Sequence, residues 1–414
     1  MEGFETNERQ TALLVSVDTG EFDAETSINE LAELASTAGA EVRGMVIQKR
    51  KSPDTATCIG AGRLQEIAEI VAANEIDLII FDRELSASQI RNIEDATNCS
   101  VIDRTMLILD IFASRARSAE GRLQVELAQL EYLLPRLSGK GIDLSRLGGG
   151  IGTRGPGETK LETDRRHIRW RIKKLKEELA EIERRREKVR FRRKKDGVNT
   201  VALVGYTNAG KSTLMNALTN AGVLAENKLF ATLDPTARAL KLPDGRQVLL
   251  IDTVGFVRRL PHQLVDAFRS TLEEAAQADV ILNICDASSP EFLEHLEVTN
   301  SVLSQIGFSG RPVIPVLNKC DIAPADVAGS IPHAVRISAL TGEGLPDLLS
   351  AISAAMPPDR KKVTLLFPYN KGNLAQQCRQ EGAVEKEEFT PEGILMSATI
   401  GSRLLELFRD YIVE

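Results

Sequence analysis

Residues 205–212 read Gly-Tyr-Thr-Asn-Ala-Gly-Lys-Ser, and this stretch decides the fold of the chain around it. It has the form G-x-x-x-x-G-K-S and follows the apolar run 201–204, which predicts a strand, a tight turn and a helix from Lys211. Its glycines let backbone N–H groups close around a phosphate, and the positive helix N-terminus faces the same anion. We expect Lys211 to reach the β- and γ-phosphate oxygens and Ser212 to bind Mg²⁺. The alternative, a glycine turn before an ordinary helix, is disfavoured by the motifs downstream.

Three further motifs follow in order, each after an apolar run: 252–255 (Asp-Thr-Val-Gly), 318–321 (Asn-Lys-Cys-Asp) and 338–340 (Ser-Ala-Leu). In the first, the aspartate would orient a water of the Mg²⁺ shell and the glycine N–H would sense the γ-phosphate. In the second, the last carboxylate would accept hydrogen bonds from guanine N1–H and the 2-amino group, donors that adenine lacks in that arrangement. A backbone N–H of the third would face guanine O6. Four motifs in this order predict that the nucleotide is GTP, not ATP.

Between the first two motifs lies Phe-Ala-Thr-Leu-Asp-Pro-Thr at 230–236. Mg²⁺ needs one ligand that is present only with the γ-phosphate, and a threonine hydroxyl in a mobile loop supplies it. We predict that Thr232 is this ligand, with Thr236 as the second candidate. The alternative is that both threonines only form turns. Catalysis is thus assigned to Lys211, Thr232 and Gly255.

The candidate nucleotide-binding residues form one set, and its metal ligands are Ser212 and Thr232. The set consists of Gly205, Tyr206, Thr207, Asn208, Ala209, Gly210, Lys211, Ser212, Thr213, Phe230, Ala231, Thr232, Leu233, Asp234, Asp252, Thr253, Val254, Gly255, Asn318, Lys319, Cys320, Asp321, Ser338, Ala339 and Leu340.

Composition limits the class of protein. A chain of 414 residues with 43% hydrophobic content suggests two to four folded domains. The polar start and the lack of an 18-residue apolar run predict a soluble cytoplasmic protein, which we expect to be a monomer without a membrane span. The five cysteines include no C-x-x-C pair, and the four histidines have no metal-ligand spacing, so neither zinc nor a disulfide framework is indicated.

Pattern changes along the chain predict four parts. Residues 11–118 alternate short strands and helices and predict a small α/β domain with a parallel sheet. Residues 119–196 carry leucines at heptad spacing, interrupted by Pro135 and a glycine-rich connection at 139–157, and predict a helical hairpin with a mobile tip. Residues 197–357 form the nucleotide domain, with a mostly parallel sheet, and 362–414 a small α+β module that reads β-α-β-α. Gly60 and Gly62 precede a helix in the first part. They favour an ordinary tight turn into that helix over a second nucleotide-binding site.

Charge is concentrated in one stretch of the chain. The net charge is −7, yet residues 158–196 contain 17 Lys or Arg and only nine Asp or Glu. Nine of the twelve residues 184–195 are cationic, more than a helix face needs for solubility. This density favours an RNA or ribonucleoprotein partner over a plain solvated face. Trp170 and Phe191 alone are too few to indicate base stacking.

The motifs GYTNAGKS, FATLDPT, DTVG before Phe256, NKCD and SAL, with GGGIGTRGPGETKLETDRR upstream, closely resemble the HflX family of ribosome-associated GTPases, of the Obg/HflX-like superfamily in the TRAFAC class. The resemblance runs from near residue 11 to at least 356. It implies association with the large ribosomal subunit and its rRNA, rescue or splitting of stalled ribosomes, and a glycine tip that probes rRNA near the peptidyl transferase centre. Family members have also been credited with ATP binding in the N-terminal domain, but no motif here places such a site.

Phe256 occupies the position at which Ras-like proteins carry a water-orienting glutamine. A phenyl ring neither donates nor accepts a hydrogen bond, so unaided hydrolysis should be slow and a partner should accelerate it. Asn208 resembles an asparagine that helps bind K⁺ at the phosphates of other GTPases without that glutamine, which makes K⁺ a candidate cofactor beside Mg²⁺. Two other functions stay open: a signalling GTPase that acts on a protein, and ATP-dependent RNA remodelling through the N-terminal domain.

Overall fold

The structure, a computed structural model, describes residues 10–137, 160–195, 197–219, 229–230, 236–259, 277–305, 308, 310–324, 331–357 and 360–413. The chain divides into two units. The first contains residues 1–180 with 226–234 and 254–270, and the second contains 181–225, 235–253 and 271–414. The predicted glycine tip at 139–157 and the predicted metal ligand Thr232 lie outside the described residues.

A four-stranded parallel sheet forms the centre of the first unit, in the order β2-β1-β3-β4. One of its two inner strands, β1, is almost completely buried, as is usual in parallel sheets that helices cover on both faces. The sequence-based prediction of a small α/β domain is confirmed. The elements are β1 (Thr11–Asp18), α1 (Ala24–Thr37), β2 (Glu41–Lys49), α2 (Ala61–Asn74), β3 (Leu78–Phe81), α3 (Ala87–Thr97), β4 (Ser100–Asp103) and α4 (Arg104–Arg115).

The helical hairpin pairs α5 (Ala119–Leu133) with α6 (Lys160–Lys195). As predicted, Pro135 ends the first helix early, in a 3₁₀ turn at Leu134–Arg136. The facing apolar seams pack together, and Arg171 binds Glu126 through two hydrogen bonds of 2.6 and 2.7 Å. The buried seam consists of Leu127, Leu130, Leu137, Ile168 and Leu175.

The second unit contains a six-stranded sheet in the order β10-β9-β8-β5-β7-β6, in which the pairing of β6 with β7 is antiparallel and the other described pairings are parallel. The prediction of a mostly parallel sheet for the nucleotide domain is confirmed. Its elements are β5 (Asn199–Gly205), α7 (Lys211–Thr219), β6 (Thr236–Lys241), β7 (Gln247–Asp252), β8 (Val280–Asp286), α8 (Phe292–Gln305), β9 (Val313–Asn318), β10 (Val335–Arg336) and α9 (Leu345–Ala355).

The C-terminal module is a three-stranded antiparallel sheet in the order β11-β13-β12, with two helices. Its elements are β11 (Arg360–Phe367), α10 (Gly372–Glu381), β12 (Ala383–Thr390), β13 (Gly393–Gly401) and α11 (Ser402–Leu407). The predicted β-α-β-α order omitted β12. That edge strand carries the sequence AVEKEEFT and is largely exposed, so its charged residues gave no alternating apolar signal. No described helix of the chain is long and apolar enough to cross a membrane.

Candidate functional site

Of the parallel strands of the nucleotide domain, three end at residues of the predicted motifs and a fourth ends at Asp286. The strands β5, β7, β8 and β9 end at Gly205, Asp252, Asp286 and Asn318, respectively. Since the carboxyl ends of parallel strands lie at one edge of a sheet, these residues gather there, where ligands bind in open α/β folds.

At two positions of the phosphate loop, close contacts leave room for glycine but not for a residue with a Cβ atom. Gly205 has φ +148°, and a Cβ there would lie 2.1 Å from the Ile284 carbonyl oxygen. Gly210 has φ +92°, and its Cβ would lie 2.2 Å from Nδ2 of Asn318. The side chain of Asn318 therefore occupies the space that any other residue at 210 would need.

Lys211 is buried at the first turn of α7. Its Nζ donates to the carbonyl oxygens of Gly205 at 3.0 Å and Tyr206 at 2.8 Å. Burial lowers the pKa of Lys211 to about 8, although the carboxylate of Asp252 acts in the opposite direction. Part of the population is thus neutral at mildly alkaline pH.

This pKa predicts a pH-dependent nucleotide affinity. Phosphate oxygens favour the ammonium form, so the bound protein keeps a proton that the free protein loses above about pH 8. Affinity for GDP should be constant below that pH and should fall above it, approaching about tenfold per pH unit. Calorimetry at pH 8.5 in two buffers of different ionisation enthalpy should detect proton uptake. Proton uptake that persists in Lys211→Met, or is absent in the wild-type protein, would contradict the assignment of this proton to Lys211.

The hydroxyl of Ser212 donates to Oδ2 of Asp252 at 2.8 Å, and Asp252 is completely buried. A hydroxyl beside a carboxylate supplies the hard oxygen donors that Mg²⁺ prefers, so the residues fit a magnesium ion. The hydroxyl of Thr253 donates to the Leu203 carbonyl at 2.7 Å and fixes the start of the loop that leads to Gly255. Thr207 Oγ1 is buried and has no hydrogen-bond partner among the described residues, as expected of a group that contacts a bound ligand.

Asn318 joins the phosphate loop to the two base-recognition motifs. Its Nδ2 donates to the Ala209 carbonyl at 2.8 Å, and its Oδ1 accepts from the Ala339 N–H at 2.9 Å. The side chain of Asp321 is exposed at the end of this motif, as a group that receives a ligand would be. Leu340 is 81% exposed, whereas Ser338 is buried and accepts from the Thr341 N–H at 3.1 Å.

Two contacts at this site were not predicted from the sequence. Lys319 has φ +64°, and its Nζ lies 2.6 Å from Oδ2 of Asp286. The ring of His295 stacks on Tyr206 of the phosphate loop, with centroids 3.8 Å apart and planes 15° apart. Asp286 could have been found, because it follows a buried strand just as the other motifs do. The histidine lies 89 residues away from the tyrosine in a helix, and no local pattern marks it.

Residues 254–259 belong to the first unit, and their arginines contact the N-terminal domain there. Arg259 Nη2 lies 2.8 Å from Oδ1 of buried Asp82, and its guanidinium lies 3.9 Å from the ring centre of Phe22. Arg104 binds the same Asp82 oxygen at 3.0 Å and donates to the Arg258 carbonyl at 3.2 Å. The chain just after Gly255 is therefore held by a buried ion-pair network.

Phe230, one of the candidate nucleotide-binding residues, also belongs to the first unit. It is buried, and its ring meets Phe112 of α4 edge to face at 4.6 Å. Its predicted neighbours at 231–234 lie outside the described residues. Phe256 is 2% exposed, so the position after Gly255 offers a buried hydrocarbon and no hydrogen-bonding group.

Three family models match the chain in succession. Residues 25–113 match "GTP-binding GTPase N-terminal", residues 115–193 match "GTP-binding GTPase Middle Region", and residues 200–319 match "50S ribosome-binding GTPase".

Curated relatives match almost the whole chain. GTPase HflX of Caldanaerobacter subterraneus subsp. tengcongensis is 51% identical, over 98% of this chain and 95% of the relative. GTPase HflX of Escherichia coli K12 is 45% identical, over 88% of this chain and 87% of the relative. Among solved structures, a GTP-binding protein from Sulfolobus solfataricus in complex with GDP is 29% identical, with a TM-score of 0.44, over 84% of this chain and 98% of that one.

Proposed function

The chain belongs to the HflX family of GTPases, and from this premise we propose that it binds the large ribosomal subunit and dissociates or rescues stalled ribosomes. It binds and hydrolyses GTP, as its relatives and GTPase domain show. The ribosomal partner is supported by the description of the model that matches residues 200–319, a 50S ribosome-binding GTPase. We place the protein in the cytoplasm as a monomer.

The observation that best supports an RNA-containing partner is the cationic end of α6. Arg185, Lys188 and Arg192 are exposed there, and Arg190 and Arg193 are half-buried. Clustered cations on one helix favour contact with phosphates over contact with an uncharged protein surface. A signalling GTPase that acts on a protein would not need this charge.

We assign each part of bound GTP to particular residues of the site. Backbone N–H groups of the phosphate loop and the ammonium of Lys211 hold the phosphates, and the N–H of Gly255 reads the γ-phosphate. Ser212 and Thr232 would bind Mg²⁺, and Asp252 would orient a water of the Mg²⁺ shell; this ion neutralises phosphate charge when bound. Asp321 selects guanine, and a backbone N–H near Ala339 faces its O6.

The side chain of Phe256 cannot orient the attacking water. We therefore propose that the partner supplies the missing charge or water positioning. Charge or water positioning supplied by a partner accelerates other GTPases by about 10³- to 10⁵-fold. GTP turnover should therefore rise steeply when large ribosomal subunits are added. Equal turnover with and without subunits would refute this part of the proposal.

The salt dependence of binding tests the role of the cationic helix end. Replacing Arg190, Arg192 and Arg193 with glutamine should reduce the slope of log affinity against log salt by about 0.7–0.9 for each lost phosphate contact. A matched control replaces Arg43, Lys49 and Lys51, three exposed cations of the N-terminal domain. A shallow wild-type slope, unchanged in the first variant, would exclude ribosomal RNA as the partner of this surface.

We also propose that K⁺ assists hydrolysis beside Asn208. This residue is exposed in the phosphate loop with φ +62°, a conformation that asparagine tolerates better than most residues. One added charge near the phosphates should raise turnover on the order of 10²-fold, as other single electrostatic contacts do. Turnover should be higher in KCl than in NaCl at equal ionic strength, and Asn208→Ala should remove the difference. Equal turnover of the wild-type protein in both salts would contradict a role for K⁺ in hydrolysis.

A further inference from the structure

Trp170 lies on the solvent side of the helical hairpin. Its side chain is 56% exposed, whereas Ile168 and Leu175 of the seam are 4% and 0% exposed. At about 100° per residue along a helix, position 170 lies on the side of α6 opposite the seam. Trp170 therefore adds little to the hairpin core. An exposed tryptophan is a costly residue to leave in water and is strongly enriched at binding interfaces.

The indole is surrounded by polar and cationic groups. The Nζ of Lys174 lies 5.6 Å from the indole centre, and the ring of His167 lies 6.0 Å away, inclined by 32°. Lys173 and Glu177 are exposed on the same face of the helix. We call residues 167, 170, 173, 174 and 177 the outer face of α6. Lys174 also lies 3.9 Å from Oε1 of Glu178. Arg166, four residues before Trp170, is exposed on the same side of the helix, so three cations face two glutamates around the single aromatic ring.

This combination of groups distinguishes between kinds of partner. A protein docking site usually surrounds its aromatic anchor with apolar contacts that exclude water, and the outer face has none. Single-stranded RNA needs a flat ring for a base and cations for the adjoining phosphates, and the outer face has both. Charge complementarity therefore favours RNA.

We propose that Trp170 is a stacking platform for one unpaired base of large-subunit rRNA, with Lys173 and Lys174 contacting the phosphates beside that base. The proposal rests on the proposed function for the identity of the RNA. Stacking is tolerant of sequence, so one ring can hold any base that the RNA fold leaves unpaired.

Binding of the full-length protein to large subunits, in the presence of a non-hydrolysable GTP analogue, gives the first test. Trp170→Ala should weaken binding by about 5- to 150-fold, and Trp170→Phe should restore most of it, because a phenyl ring also stacks. The salt slope should stay unchanged in Trp170→Ala, since stacking releases no counterions. In contrast, Lys173→Gln with Lys174→Gln should reduce it by about 0.7–0.9 for each phosphate contact. Unchanged affinity in Trp170→Ala would overturn the proposal.

Chemical probing of the rRNA separates RNA from a ribosomal protein as the partner of Trp170. Wild-type protein and Trp170→Phe should change the reactivity of a nucleotide that Trp170→Ala leaves unchanged, while the rest of the footprint persists. Weaker binding of Trp170→Ala with the same nucleotide footprint as wild type would assign the indole to a protein contact and refute stacking.

A second measurement tests stacking even if the ribosomal partner is wrong. Trp170 is the single tryptophan of the chain, so indole fluorescence reports this side chain alone. A single-stranded adenine-rich RNA oligonucleotide should quench this fluorescence through direct stacking, and quenching should weaken in the double lysine variant. Quenching without subunit binding would reject the proposed function but keep the stacking site. Binding to subunits without quenching by the oligonucleotide would keep the proposed function and reject the stacking site.

Discussion

Replacing Asp321 with asparagine is expected to weaken GTP binding by about 10²- to 10⁴-fold and to create affinity for xanthosine triphosphate. The carboxylate would accept two hydrogen bonds from guanine, each worth about 1.5–3 kcal/mol because the acceptor is charged. An amide offers one acceptor and places its NH₂ against the guanine amino group. Xanthine has an oxygen in place of that amino group and accepts from the amide instead.

Calorimetric titration with guanosine and xanthosine nucleotides would measure this change in Asp321→Asn. The exposed Asp347 of α9 provides the control, because Asp347→Asn makes the same chemical change away from the motifs. Loss of both nucleotides together would indicate damage to the fold, and unchanged GTP binding would move base recognition elsewhere. If an ATP-dependent activity on RNA survived the loss of GTP turnover, the N-terminal domain would have a motor of its own.

Replacing Asp82 with asparagine is expected to destabilise the first unit by about 3–5 kcal/mol. The buried carboxylate accepts from Arg104 and Arg259, and Arg104 has Glu30 as a second partner at 2.6 Å. Losing the charge of Asp82 leaves two guanidinium groups in a buried site with one carboxylate. The cost is that of an uncompensated buried charge, which greatly exceeds the value of a surface ion pair.

Urea unfolding followed by hydrogen exchange in β1 and β3 would measure the stability of Asp82→Asn. Asp95→Asn on the exposed side of α3 is the matched control and should change stability by less than about 0.5 kcal/mol. Because Arg259 follows Gly255 by four residues, GTP turnover should also change in Asp82→Asn and not in the control. A variant as stable as the wild type would show that this network does not hold the segment after Gly255.

The residues replaced in these two variants differ in how well their roles can be predicted from the sequence. Asp321 was predicted as a ligand group from a short motif after an apolar run, because the residues of such a motif are neighbours in the chain. Asp82 and Arg259 are 177 residues apart, and neither lies in a pattern that indicates its partner. Their pairing depends on how residues 254–259 pack in the first unit. The strand β12 was missed for a different reason, since an exposed edge strand has no apolar periodicity to read.

Local patterns also left the role of Trp170 undecided. The heptad spacing predicted an apolar seam in α6, and Ile168 and Leu175 are buried there, whereas Val189, which continues the same spacing, is 45% exposed. The aromatic content was too low to indicate stacking, and only the surroundings of the indole show a cationic face. Residue counts describe a whole segment, whereas binding depends on the few groups that share one side of a helix.

The two hydrogen bonds of Asn318 make the two halves of the nucleotide site thermodynamically dependent on each other. One amide ties the loop for the phosphates to the loop for the base, through Ala209 and Ala339. A ligand that orders one loop lowers the entropic cost of ordering the other. The free energies of binding guanosine and of binding a polyphosphate should therefore not sum to that of GTP. The difference between them is a coupling energy that fragments of the nucleotide cannot reproduce.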